Sequence, residues 1–363
     1  MKKSLLMLLA IALLLPLSAP AESLPELTVE VAAEGLQRPW DIAQLRDGSL
    51  LFTQRGGTLS RLTDGQVQRV AELPQVWSRG EGGLMGLALD TDFAENRLIY
   101  LAHNAQDGQR REVRVVRYRL DEAWQLQEEQ VIVSGLPANP SGRHSGAQLE
   151  MGPDGVLWIG TGDAADGTTP QDPQSLGGKI LRVDREGSGV PGNLPAPFDP
   201  RIYSYGHRNT QGLALLPEPA DGLWGYSVEH GSHRDDEFNP LLPGNFGWDP
   251  PPPYDESVPM TDLDKYPDAI PAVWSSGPRT IATSGLARIQ GAHWGALDGA
   301  YVIGVQKDQH LRVLILKDGA LHAEHSLFAG EYGRIRAVAM GQDGALYFGT
   351  DNGDDRILRV TPR

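Results

Sequence analysis

Apolar and polar residues alternate along most of this chain, in short runs cut off by Gly, Pro, Asp and Asn. A period of two predicts half-buried β-strands joined by tight turns, and almost no stretch shows helical spacing. The clearest case is Ser141–Asp163. Ala147, Leu149 and Met151 alternate before Gly152-Pro153-Asp154-Gly155, and Val156 and Trp158 alternate after it. Pro presets φ, Asp tolerates turn geometry and Gly closes the bend, so the segment predicts a hairpin. A register symmetric about the Pro153–Asp154 bond sets His144 opposite Asp163 at the open end. A carboxylate beside an imidazole fixes its tautomer and raises its basicity, as a general base requires. On this pattern alone, a solvated surface His–Asp pair stays open as the other reading.

The same pattern recurs, and the recurrence decides the fold. A short polar or Gly-containing start, an apolar strand, a turn and further strands appear at Arg38–Leu62, Gly82–Leu120 and His144–Asp184. They appear again at Arg208–Gly231, Thr283–Leu316 and Arg334–Val360. Six copies of about four strands each predict an all-β chain folded as a six-bladed β-propeller. A large β-sandwich would not explain one motif six times. The copies leave no domain boundary, so 22–363 reads as a single propeller domain. Two segments must be loops: Ala164–Ser175, rich in Gly, Pro and Asp, and Asp249–Pro271, which holds four consecutive prolines. Long propeller loops are expected on one face.

Composition narrows the chemistry. With 43 Gly and 27 Pro in 363 residues, a turn-rich β fold is favoured again. No Cys is present, so disulfides, thiolate catalysis and zinc–cysteine sites are excluded. Residues 1–21 carry Lys2 and Lys3, an apolar run from Leu5 to Leu15, and Ala19-Pro20-Ala21. They predict an export leader with a mature start at Glu22 and a periplasmic or secreted protein without a membrane span. Formal charge is −15 for the whole chain and −17 without Lys2 and Lys3, which argues against nucleic acid or an anionic membrane as partner.

Against that acidity, cations gather at the predicted strand starts. Those positions converge on one end of a propeller's channel. They hold Arg38, Glu81, Arg143-His144, Arg208-Asn209, Thr283-Ser284, and Arg334 with Arg336, while Lys307 returns to the same face. Like charges repel unless an anion lies between them, so a compact polycarboxylate is the inferred ligand. Val228–Asn239, VEHGSHRDDEFN, offers carbonyl and carboxylate oxygens suited to Ca²⁺, although an exposed acidic loop fits it equally. His207 and His310 show no metal spacing. No nucleophile elbow, Walker loop or dinucleotide fingerprint occurs.

Taken together, the His hairpin with GPDG and TGD, the run YGHRNTQG, the EHG…DDEFN loop, GNFGW and RIR resemble the soluble PQQ-dependent aldose sugar dehydrogenases of the glucose/sorbosone dehydrogenase family. The resemblance runs in order from about Gly35 to Val360. It implies a catalytic base at His144, oriented by Asp163, and quinone contacts at Arg208 and Asn209. It also implies PQQ-holding groups at Lys307, Arg334 and Arg336. Carbonyls of Gly231 and Ser232 would ligate a calcium that bridges to PQQ, with Glu237 and the Phe246 carbonyl at a second, structural calcium. Glu81 falls in the cofactor set where the family usually has Gln. Arg143, Thr210 and Ser232 also depart from the usual pattern. The implied reaction is oxidation of an aldose at C1 to the lactone, with an unnamed electron acceptor. A sugar- or anion-binding propeller without redox chemistry, and more weakly a metal-dependent lactone hydrolase, remain the competing readings.

Overall fold

The structure, a computed structural model, describes residues 23–363. The proposed leader and Glu22 lie outside the described residues. Six sheets follow one another along the chain, antiparallel except for a short parallel pair of Ile202–Tyr205 with Gly244–Asn245 in the third. Their innermost strands are Pro39–Gln44, Leu84–Leu89, Gly146–Met151, Thr210–Ala220, Thr283–Arg288 and Ile335–Met340. Each inner strand packs against the inner strands before and after it, and the last packs against the first, closing a ring. This is the six-bladed β-propeller expected from the six copies.

The ring is sealed by a strand the repeat pattern did not single out. Leu27–Leu36 pairs with Asp355–Pro362, from Leu27↔Pro362 to Leu36↔Asp355, so the beginning of the described chain completes the sixth blade. Joining the two ends of the described chain in one sheet ties the last blade to the start of the first.

Apolar burial explains why the centre stays open. The core divides into six clusters, one at each blade–blade contact. Tyr100 and Val115 of the second blade meet Leu149 and Ile159 of the third, for example. Trp158 and Tyr203 of the third meet Leu213 and Leu241 of the fourth. Each sheet is buried on both faces, and the polar inner edges are left to line the channel. Close approach of inner strands depends on glycine: a Cβ on Gly86 would come within 2.3 Å of the Ala147 carbonyl oxygen in the next blade.

One further regularity positions the site. Every inner strand shifts register against its neighbour near its first residue, at Pro39/Asp41, Leu84/Leu87, Gly146/Gln148, Thr210/Gly212, Thr283/Leu286 and Ile335/Ala337. A bulge bends the strand and re-aims the side chains beside it. Six bulges at one level turn the residues at the strand starts toward the channel mouth.

The two long loops lie where expected. The first is tied down by Lys179, whose fully buried ammonium donates to the carbonyls of Thr169, Pro170 and Gly177. Burial pulls its pKa down to about 7. Gln171 on this loop donates to the Trp248 carbonyl, joining it to the start of the proline-rich insertion. Among the described residues no helix is long and apolar enough to cross a membrane.

Candidate functional site

His144 and Asp163 do meet, by a different route from the expected register. Beyond the turn the pairs are Met151↔Leu157, Glu150↔Trp158, Leu149↔Ile159 and Gln148↔Gly160, centred on Asp154 rather than on the Pro153–Asp154 bond. The expected register is therefore out by one residue. Ala147, at φ 71°, is the bulge that restores it, bringing Gly146 opposite Thr161. His144, itself left-handed at φ 50°, then places Nδ1 2.8 Å from Asp163 Oδ1.

Both side chains are buried, so the solvated reading fails. Asp163 Oδ1 also accepts from the Ala165 amide at 2.7 Å. Its Oδ2 accepts from Trp248 Nε1 at 2.8 Å and from Tyr254 Oη at 2.6 Å. With all four donors directed at the carboxylate, the network assigns the imidazole proton to Nδ1 and leaves the Nε2 lone pair for a ligand. Arg143 Nη2 lies 3.5 Å from that nitrogen.

Beside this dyad a cavity of about 260 Å³ opens at the channel mouth, lined by Glu81, Gln211, His230, Gln306, Arg334 and Arg336 among others. Glu81 accepts from the His144 amide at 3.2 Å and from Asn209 Nδ2 at 2.9 Å. Burial alone would raise its pKa. The His144 and His230 imidazoles and these hydrogen bonds outweigh burial and hold it below the ordinary glutamate value. Arg336 is buried, stacked 3.9 Å over the Trp40 ring, and donates to Gln211 and Gln306 at 2.6 and 3.0 Å. Burial lowers its pKa to about 10, which leaves it cationic at neutral pH.

Arg334 is less committed: its side chain is 43% exposed and 3.7 Å from Asp351. Lys307 follows cavity-lining Gln306 but is itself exposed at the rim, held through its backbone amide to the Ile281 carbonyl. Arg208 is nearly fully buried. Its Nη1 donates to the His230 carbonyl at 2.8 Å, its Nη2 meets Glu256, and its buried Nε has no acceptor. The structure thus brings His144, Asp163, Glu81, Arg208, Asn209, Arg334 and Arg336 to one mouth and leaves Lys307 at its edge. Trp248, Tyr254 and Glu256 were not anticipated as site residues. Trp248 closes the GNFGW motif, but the other two stand among prolines with no periodic signal.

The metal candidates divide into two places. In the VEHGSHRDDEFN loop, Asp236 is consumed by the amides of Gly231, Ile281 and Ala282 and by Thr280 Oγ1. Its carboxylate pins the loop to the fifth blade. Gly231 and Ser232 keep carbonyl oxygens that accept no hydrogen bond from the described residues, and Ser232 Oγ is buried without a partner. Farther out, buried Glu237 meets Thr261 Oγ1 at 3.1 Å and Asn239 Nδ2 at 3.3 Å. Burial, and then the neighbouring Glu229 carboxylate, raise its pKa well above the ordinary value. Asn239 Oδ1 is buried without a donor, and the Phe246 ring stacks on His207 at 4.4 Å. Glu229 is itself occupied by His207, the Arg208 amide and Asn239, so Glu237 and the idle Asn239 amide oxygen are the hard-oxygen donors a calcium ion would use here. Among the described residues no three His, Asp or Glu side chains converge on one point, so either ion would depend on backbone carbonyls.

Known proteins resemble the chain over nearly its whole length. The family described as Glucose / Sorbosone dehydrogenase matches residues 36–359. The aldose sugar dehydrogenase of Escherichia coli is 30% identical over 92% of this chain and 93% of its own length. Among solved structures, the PQQ-bound aldose sugar dehydrogenase of Streptomyces coelicolor is 32% identical over 94% of this chain and all of its own, with a TM-score of 0.78. The apo form of the soluble E. coli aldose sugar dehydrogenase superposes with a TM-score of 0.81, at 28% identity over 93% of this chain and 100% of its own.

Proposed function

The chain belongs to the glucose/sorbosone dehydrogenase family, and on that premise we propose that it is a PQQ- and calcium-dependent dehydrogenase oxidising aldoses at C1 to the lactone. The observation that carries the reading is a buried His144–Asp163 pair whose His144 amide is held by Glu81, a residue of the neighbouring cavity that Arg334 and Arg336 also line. Arg336 and Arg334 would hold PQQ carboxylates with Lys307 at the rim, and Arg208 and Asn209 would lie at the quinone. The buried, acceptorless Nε of Arg208 fits that role, since an unpaired buried donor is costly unless a ligand completes it. Gly231 and Ser232 would offer carbonyls to a calcium at the cofactor, and Glu237 and Phe246 would serve a structural one.

When bound, PQQ would supply the hydride-accepting quinone and calcium would supply Lewis-acid polarisation beside it. The protein's part is the proton. His144 Nε2 takes it from the C1 hydroxyl as the hydride leaves, so the sugar loses two electrons and two hydrogens overall. Asp163 holds Nδ1–H and stabilises the imidazolium that forms. Arg208 places positive charge where negative charge develops. A separate acceptor then removes the electrons, and the leader at residues 1–21 would deliver the enzyme outside the cytoplasm.

Glu81 and Glu256 put carboxylates among the cations, which favours the second reading, a propeller that binds a neutral sugar without redox chemistry. Dye-linked oxidation of aldoses by apoprotein supplied with PQQ and Ca²⁺ separates the two. Turnover that needs both additions supports the dehydrogenase, whereas sugar binding with no PQQ binding and no dye reduction supports the alternative.

A further inference from the structure

The proline-rich insertion delivers two side chains to the dyad. Tyr254 Oη donates to Asp163 Oδ2 at 2.6 Å and lies 3.1 Å from His144 Nδ1. Its ring is tilted 54° to the imidazole at a centroid distance of 5.8 Å, and it meets Trp248 edge-on at 6.2 Å. Glu256, two residues on, pairs with Arg208 and with Arg143. The insertion thus touches both the acid that orients the base and the cations around it.

Asp163 is wholly buried, and each of its oxygens accepts two donors: His144 Nδ1–H and the Ala165 amide on one, Trp248 and Tyr254 on the other. Each donor spreads the carboxylate's charge and competes with the imidazole for it. A phenol at 2.6 Å is the shortest of the four. The other groups that face His144 are Glu81 at its amide, Arg143 at Nε2, and Glu256, Arg208 and His230 across the mouth. None of those five donates to Asp163 Oδ2.

From this geometry we infer that Tyr254 is a positioning residue for proton abstraction, acting through Asp163. It fixes the carboxylate against the imidazole and weakens the carboxylate's hold on the imidazole's charge. The base can then shed its proton between turnovers. The inference rests on the assignment of His144 as the base. A tyrosine serving only to pack the insertion would make the same ring contacts, so the hydroxyl alone has to be tested.

Tyr254→Phe removes the hydroxyl and keeps the ring against His144 and Trp248. In the PQQ- and calcium-loaded enzyme, turnover at neutral pH should fall roughly tenfold or more, with aldose KM within a few-fold. The acid-side fall of the pH–rate profile should move to higher pH by about 0.5–1 unit, because a carboxylate with fewer donors holds the imidazolium more firmly. An independent readout needs no cofactor: the ¹⁵N signals of the His144 ring in the apoprotein should titrate at higher pH in Y254F than in the wild type. If Y254F does not fold, Trp248→Phe removes the other donor from the same oxygen and must shift the His144 titration in the same direction. Superimposable profiles and titrations in variant and wild type overturn the inference while leaving the dehydrogenase reading intact. Absence of aldose oxidation in the wild type would instead sink that reading, and the apoprotein titration would still judge Tyr254.

Discussion

Glu81 is the chain's departure with the most to reveal, because one substitution should move stability and cofactor affinity in opposite directions. Its carboxylate accepts from the His144 amide and from Asn209 Nδ2. A glutamine there has one acceptor oxygen, so one contact is lost and an NH₂ group is pressed against a donor. Losing a charge-assisted hydrogen bond should destabilise the apoprotein by about 1–3 kcal/mol. The same carboxylate lines the cavity that holds Arg334 and Arg336. Two unit charges about 7 Å apart at an effective dielectric near 20 repel by roughly 2 kcal/mol. Allowing for screening by the neighbouring cations, Glu81→Gln should tighten PQQ binding by about 5–30-fold. Thermal melting and a fluorescence titration of apoprotein with PQQ measure the two effects separately. The affinity gain should persist from pH 8 down to the glutamate range, because the imidazoles and hydrogen bonds around Glu81 outweigh burial and hold its pKa below the ordinary glutamate value. A lower melting temperature with unchanged or weaker PQQ binding would show that Glu81 does not face the ligand.

The two arginines of the RIR motif should behave differently. Arg336→Ala removes a buried guanidinium and should weaken PQQ binding by about 1.5–3 kcal/mol, whereas half-exposed Arg334→Ala should cost less than about 1 kcal/mol in the same titration. At the opposite end of the channel, a cavity of about 290 Å³ holds Asp41 and Glu150, which burial raises to about 7 and about 8. A carboxyl raised in the folded state loses stability as pH rises from its unfolded value through the folded one. Glu150→Gln should therefore flatten the pH dependence of unfolding between pH 5 and 8 and stabilise the protein at pH 8 by on the order of 1 kcal/mol. Glu237→Ala should abolish any calcium-induced rise in melting temperature while leaving turnover of the loaded enzyme nearly unchanged, as calorimetry with and without chelator can establish.

The repeat architecture was legible because each blade must bury its own alternating face, and that need writes the same period six times. Site residues carried on strand starts were legible for the same reason, since the blade fixes where a strand begins. The closing strand Leu27–Leu36 was not, because its partner lies at the other end of the chain. The bulge at Ala147 was invisible too, as nothing in an alternating run marks the one residue that breaks register. Tyr254 reaches Asp163 across 91 residues, from a loop whose prolines abolish any periodicity. Asp236 showed the limit of reading composition: an acidic run looked like metal ligands, but its buried carboxylate is occupied by backbone amides.

The central claim is that His144 removes the C1 hydroxyl proton as the hydride leaves. Anaerobic mixing of PQQ- and calcium-loaded protein with glucose, and with glucose deuterated at C1, follows that step through the absorbance of the bound quinone. His144→Asn suits the comparison, since Asn tolerates the left-handed φ of 50° at this position. The wild type should reduce its quinone more slowly with the deuterated sugar and release lactone. The variant should bind PQQ with the same affinity and reduce it roughly 10²–10⁴-fold more slowly. Quinone reduction at the wild-type rate in His144→Asn would contradict the account.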